Sequence, residues 1–158
     1  ANKKLGGGVC LTSIHEIDLM LDLFKDCKIV NSHIDNLSKL KIDVEDFSVS
    51  TYKCTFKKKK IISLIILDFF QLNTERYIKL IFDYGEVYLD LNNNYLLITK
   101  KNSRKIFRFP KNKNIMYKKE LQNFLSLFMN RKKVPEEFSL DNSLKSLKIV
   151  EKIKNNHN

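Results

Sequence analysis

Thr12 and His15 are the residues of this sequence whose types and spacing could move a proton at a substrate. An imidazole titrates near neutral pH, so a histidine set beside a hydroxyl can act as general acid or base, whereas a threonine three positions earlier can only hydrogen-bond. Both follow Gly6-Gly7-Gly8, which are three of the chain's four glycines. Such a cluster lets the backbone approach closely and predicts a tight entry into a helix. Cys10, Ile14, Ile17, Leu21 and Phe24 then recur at steps of four and three, the spacing of one apolar helical face. His15 lies off that face, on a stripe with Gly8, Thr12, Leu19 and Asp22. Ser13 and Glu16 also match a capping box, which would start the helix at Ser13 and leave Thr12 in the entry loop. Both starts fit the pattern, and a structural histidine is the plainer reading of His15.

The elements that must position these residues follow from periodicity. The first helix runs out at Lys25-Asp26, and residues 27–36 read as an edge strand. A charged connection, 37–46, leads to residues 47–56, which alternate as a half-exposed strand. Lys57 to Lys60 reads as a solvated hairpin turn. The next strand, 61–71, is apolar on both faces, with Ile61, Ile65, Leu67 and Phe69 on one and Ile62, Leu64, Ile66 and Phe70 on the other. Such a strand must be covered on both sides. Segments 75–84 and 86–91 meet at Tyr84-Gly85, and 95–100 and 105–109 flank Lys101 to Arg104 before Pro110. Tyr117, Leu121, Phe124, Leu125 and Phe128 repeat as a helical face that reads as core, ending before Arg131-Lys132-Lys133 and Pro135. Ser139 or Asp141 can cap a last helix carrying Leu144, Leu147, Val150 and Ile153, which frays into the terminal asparagines. The expected fold is α+β: one large, mostly antiparallel sheet of about seven strands, its one face covered by the opening helix and the two C-terminal helices. The face of strand 61–71 opposite the helices would then be closed by a second copy.

The 158 residues, 43% of them hydrophobic with two prolines, suit a single domain, residues 1–158. No stretch approaches the ~18–20 apolar residues of a membrane span. Cys10, Cys27 and Cys54 are odd in number and lack metal spacing, so the expectation is reduced cysteines in a cytoplasmic protein with no metal. The net charge of +11 is scattered, with one uninterrupted run of four lysines, and nucleic acid is not the expected partner. His33 and His157 have no partner pattern. No Gly-x-Gly-x-x-Gly follows a strand, so no dinucleotide cradle is expected in this chain.

The order Gly-Gly-Gly-Val-x-Leu-x-x-x-His-Glu-Ile-Asp, then Leu23-Phe24, resembles the helix that opens the active site in the C-terminal domain of the Gfo/Idh/MocA family of NAD(P)-dependent sugar oxidoreductases. Asp43-Val44-Glu45-Asp46, Leu67-Asp68-Phe69-Phe70-Gln71, Leu80-Ile81-Phe82 with Gly85-Glu86-Val87, and the helices around Pro135 are similar to later elements of that domain. The resemblance implies His15 as the acid/base group beside nicotinamide and substrate, with Thr12 where the family commonly has an aspartate, and Gln71 and Arg76 as contacts to a sugar or nucleotide sugar. It further implies NAD or NADP held mainly by an N-terminal Rossmann domain absent from this chain, self-association through the open sheet face, and no activity for this chain alone, since the family's Glu-Lys-Pro motif is missing. The rival expectation is a non-catalytic binding or scaffolding module whose basic surface holds an acidic partner.

Overall fold

Apolar residues at every second position give strands, and among the described residues there are seven. The computed structural model describes residues 2–111, 113–130, 135 and 139–155. The class is α+β, as expected, and the seven strands all pair antiparallel. They are hydrogen-bonded as two sheets, of three and four strands, and the chain forms two compact units, Ala1–Phe70 with Val134–Asn158 and Gln71–Lys133.

After a 3-10 turn at Lys3–Leu5, the first unit carries two helices, α1 (Val9–Thr12) and α2 (Ile14–Leu23), followed by strands β1 (Lys25–Asp35), β2 (Phe47–Phe56) and β3 (Lys59–Asp68). The last helix of the chain, numbered α4 (Leu140–Asn155), belongs to this unit too. The strand order is β1-β2-β3, and α1, α2 and α4 pack on one face. Between them lies the core: Val9, Cys10, Ile17, Met20, Tyr52, Cys54, Val150 and Ile153. Every member of the apolar face read from the sequence is in or against that core, with Cys10 and Ile17 buried and Ile14, Leu21 and Phe24 packed on it. Of the two apolar faces of β3, the one with Ile61, Ile65, Leu67 and Phe69 meets the helices, whereas Ile62, Leu64 and Ile66 are 66%, 58% and 59% exposed. Ser139 caps α4 as expected, its hydroxyl accepting from the Asn142 N–H at 3.3 Å.

Two readings of this unit are corrected. Only Lys57 and Lys58 turn the hairpin, both at positive φ (47° and 67°), while Lys59 and Lys60 continue β3 opposite Phe56 and Thr55. Two positive-φ residues are what a two-residue hairpin with the right twist requires, so two lysines suffice. The cysteines are not all reduced: Cys27 and Cys54 form a disulfide between β1 and β2, and Cys10 alone is a thiol. Their pairing rests on register. Asp26, at φ 52°, falls where the β1–β2 register shifts between Lys25 and Lys28, and this bulge sets Cys27 across from Cys54, a proximity that spacing along the chain does not encode.

The second unit is a meander of β4 (Tyr77–Phe82), β5 (Gly85–Asp90), β6 (Tyr95–Lys100) and β7 (Ser103–Arg108), with helix α3 (Lys113–Met129). A Cβ on Gly85 would collide with the Thr99 carbonyl of β6, which fixes glycine at that strand end. Across β4, β5 and β6, Tyr77 stacks on Tyr88 with ring centroids 5.3 Å apart, and Tyr95 meets Tyr88 at a tilt, 6.1 Å away. α3 forms where its periodicity predicts, but the stripe expected to be core, Tyr117, Leu121, Phe124, Leu125 and Phe128, is exposed along its length. Periodicity identifies which side of a helix is apolar and carries no information on what covers it. The basic run at 131–133 and His157 lie outside the described residues.

Candidate functional site

Neither helix start suggested by the sequence is complete. Gly8 opens α1, Thr12 is its last residue, and Ser13 interrupts the helix at φ −106°, ψ 26° before α2 resumes at Ile14. Ser13 makes no side-chain cap bond, so the capping box does not form. Its carbonyl instead accepts the Glu16 N–H at 3.0 Å. Thr12 and His15 therefore flank a break in the helix, and both side chains are exposed. Glu16, in the first turn of α2 where a carboxylate suits the helix dipole, places Oε1 3.2 Å from His15 Nε2. An exposed imidazole at the start of a helix, with a carboxylate at its ring nitrogen, can exchange a proton with an approaching hydroxyl.

The glycine cluster serves an internal anion. The Val9 N–H donates to the Glu45 carbonyl at 3.0 Å, and a Cβ on Gly8, which sits at φ 126°, would collide with the Glu45 carboxylate. Lys154 of α4 lies 3.0 Å from Glu45 Oε1 and reaches the Gly7 carbonyl at 3.4 Å. The room that a phosphate would need at these glycines is filled by the protein's own ion pair. All described strands pair antiparallel, so the described residues hold no βαβ crevice either, and they do not fit a dinucleotide. Among the described residues no group of three or more metal-ligating side chains could hold a metal ion.

Other polar groups in the core are unsuited to chemistry. Burial pushes the Cys10 thiol up, and the Glu45 charge adds to this against a hydrogen bond from Ser48 and the Lys154 charge. A protonated, buried thiol is inert as a nucleophile. Burial likewise raises the Tyr52 hydroxyl to about 12, the Ser50 hydrogen bond opposing it. The position of α4 over the helix bearing His15 is fixed by a hydrogen bond from the Ser146 hydroxyl to Asp18 Oδ1.

Gln71 and Arg76 belong to the second unit, in the segment that precedes β4, and both are exposed. The Arg76 carbonyl accepts the Leu91 N–H at 2.9 Å, which extends the β4–β5 ladder and fixes the backbone from which its guanidinium projects. Sequence reasoning missed the roles of Glu16, Glu45 and Lys154. The quartet Asp43-Val44-Glu45-Asp46 offered three carboxylates with no local sign of which would be buried.

No protein-family model matches the sequence, and no curated protein sequence matches it. Solved structures do. UDP-N-acetylglucosamine 3-dehydrogenase GnnA from Acidithiobacillus ferrooxidans superposes with a TM-score of 0.68 at 15% identity in one crystal form, over 89% of this chain and 43% of that one. In a second crystal form the TM-score is 0.67 at 16% identity, over 89% and 44%. A Thermotoga maritima protein assigned as an oxidoreductase gives 0.66 at 12% identity, over 90% and 42%. The chain therefore has the fold of somewhat under half of each of these proteins.

Proposed function

We propose that this chain is the substrate-binding and oligomerisation half of an NAD(P)-dependent oxidoreductase of the Gfo/Idh/MocA type, acting on a hydroxyl of a sugar, sugar derivative or nucleotide sugar. The observation that carries this reading is the fold shared along nine-tenths of the chain with part of a nucleotide-sugar dehydrogenase. His15, exposed at the helix break and next to Glu16, would exchange the proton of the reacting hydroxyl. Thr12 would hydrogen-bond it without charge. Gln71 and Arg76, in the other unit, are proposed from the resemblance alone as contacts to a sugar or its phosphates, a task for which a guanidinium is suited. NAD or NADP would be held mainly by residues outside this chain, because the glycines at the helix entry hold Glu45 in place of a phosphate. The exposed Ile62, Leu64 and Ile66 of β3 would be covered by a second copy, since a contiguous apolar sheet face marks an interface.

Titration of the isotopically labelled chain with UDP-N-acetylglucosamine tests the reading by NMR. The resonances of His15, Thr12 and Arg76 are expected to shift, and the chain alone is expected to show no NAD(P)-dependent oxidation of the sugar. In a complete enzyme, His15→Ala should lower kcat by ~10²-fold or more while cofactor binding persists. Silence toward nucleotide sugars, combined with micromolar binding of nucleic acid that falls steeply between two salt concentrations, would replace this reading with the basic scaffolding module.

A further inference from the structure

The excess positive charge of the chain lies in one segment, although no long basic run marks it. Residues 100–133 hold 12 of the 29 lysines and arginines and one of the 18 acidic residues, Glu120, a net charge of +11. The other 124 residues carry 17 of each sign and are neutral. The segment runs from the last residue of β6 through β7 and α3, all within the second unit. Six of its cations precede α3, three lie in it and three follow it. The helix itself is amphipathic: Tyr117, Leu121, Phe124, Leu125 and Phe128 fall on one arc, and Lys119, Gln122, Asn123 and Ser126 on the opposite one. The apolar arc is 43% exposed at Leu125 and 75% at Phe128. Ile106 and Phe107 of the edge strand β7, and Phe109 just beyond it, are exposed as well.

We propose that α3 docks on an anionic lipid surface, lying in the plane of the bilayer with its apolar arc among the acyl chains and the flanking cations on acidic headgroups. This goes beyond the oxidoreductase reading and does not depend on it. Whatever covers the arc must be anionic, to suit twelve cations around a single carboxylate, and must offer hydrocarbon to aliphatic side chains. A bilayer containing acidic phospholipids meets both demands. A nucleic acid meets the first, and its bases can stack on Tyr117, Phe124 and Phe128, but it gives Leu121 and Leu125 nothing to pack against. The helix lies on the bilayer and does not cross it, since no described helix is long and apolar enough to span a membrane and Lys118-Lys119-Glu120 interrupts α3. The Lys118 stem, next to the arc, can run along it while the ammonium reaches the headgroups. The apolar arc supplies the insertion, and each cation near an anionic surface raises the affinity about five-fold.

Co-sedimentation of the full 158-residue chain with phosphatidylcholine vesicles, with and without about one-third phosphatidylserine, tests this. Binding is expected only to the vesicles that contain phosphatidylserine, and it should weaken as salt rises. The chain contains no tryptophan, so Phe124→Trp reports on the arc, and its emission should shift to the blue when those vesicles are added. All substitutions are at exposed positions, and each variant is checked for folding by circular dichroism. Leu121→Gln with Phe124→Gln and Phe128→Gln should weaken binding at least ~10-fold, and so should Lys118→Gln with Lys119→Gln. Lys59→Gln with Lys60→Gln, in the other unit, should leave it within about two-fold, because those lysines lie outside the docking segment. No binding to phosphatidylserine vesicles, or undiminished binding by the apolar triple variant, would overturn the proposal. An equal loss from the Lys59 and Lys60 changes would do the same, as it would show adsorption of a basic protein without a site. Emission from Phe124→Trp that is already blue-shifted before vesicles are added would show the arc covered by protein. A single-stranded oligonucleotide bound more tightly than the vesicles, by the triple variant as well as by wild type, would assign the surface to nucleic acid instead.

Discussion

Replacing Asp46 by alanine removes the group that organises the loop between β1 and β2. Asp46 has no accessible surface, and its carboxylate accepts the Leu37 N–H at 2.8 Å and the Ser38 N–H at 2.9 Å, as well as the Ser38 hydroxyl. Its own N–H donates to the Asp35 carbonyl at 3.1 Å and its carbonyl accepts from Phe69 at 3.0 Å, so the same residue ties the loop to both neighbouring strands. In Asp46→Ala two backbone donors lose a charged acceptor, at ~1–3 kcal/mol each. The Ser38 hydroxyl can rotate toward water. Water that enters the space left by the carboxylate can satisfy part of what is lost, so the loss at pH 7 is about 2–4 kcal/mol. That corresponds to a fall in Tm of ~5–12 °C for a chain of this size. Burial by itself would raise the Asp46 pKa, but the bonds from Ser38 and Leu37 outweigh it and hold the carboxyl below its ordinary value. A depressed folded-state pKa contributes stability above the unfolded value of ~3.9, and this is lost as pH falls through the folded value. Urea denaturation of both proteins should therefore give a stability difference that is full at pH 7 and narrows as pH falls below ~4 toward the folded value. Hydrogen exchange should show the Leu37 and Ser38 amides losing protection in the variant. A variant within ~0.5 kcal/mol of wild type at pH 7, the scale of an ordinary surface substitution, would refute the reasoning.

The hairpin at Lys57-Lys58 holds two side-chain-bearing residues at positive φ, each at a cost of ~1 kcal/mol or more. Lys57→Asn with Lys58→Gly should therefore stabilise the chain by about 1 kcal/mol in urea titrations, after allowance for the ~0.5 kcal/mol cation–π contact of the exposed Lys57 with Phe56. Unchanged or lowered stability would count against the turn geometry. The disulfide joins residues 27 positions apart, so its reduction should cost about 3.5 kcal/mol in the loop-entropy picture. Thiol titration of the unreduced, denatured chain should find only Cys10, and three thiols should appear after reduction. Three thiols before reduction would show that the pair is open.

Periodicity is local, and what depends on it was legible in the sequence. The alternation in 47–56 gave β2 residue for residue, 95–100 gave β6, and the four-and-three spacing from Cys10 to Phe24 named the side chains that meet the core. The same local rule showed that β3 has two apolar faces, and the glycine triplet that a close approach occurs before the first helix. Which face of β3 the helices cover was decided by packing, because both faces satisfy the pattern equally well. The break at Ser13, which leaves Thr12 and His15 on separate helical segments, has no signal beyond two competing helix starts. The anion at the glycines is Glu45, held by a lysine 109 positions along the chain, and the partner of Cys27 is brought to it by a bulge in register. Ion pairs, disulfides and buried carboxylates depend on distances between segments remote in sequence, and only folding sets those distances.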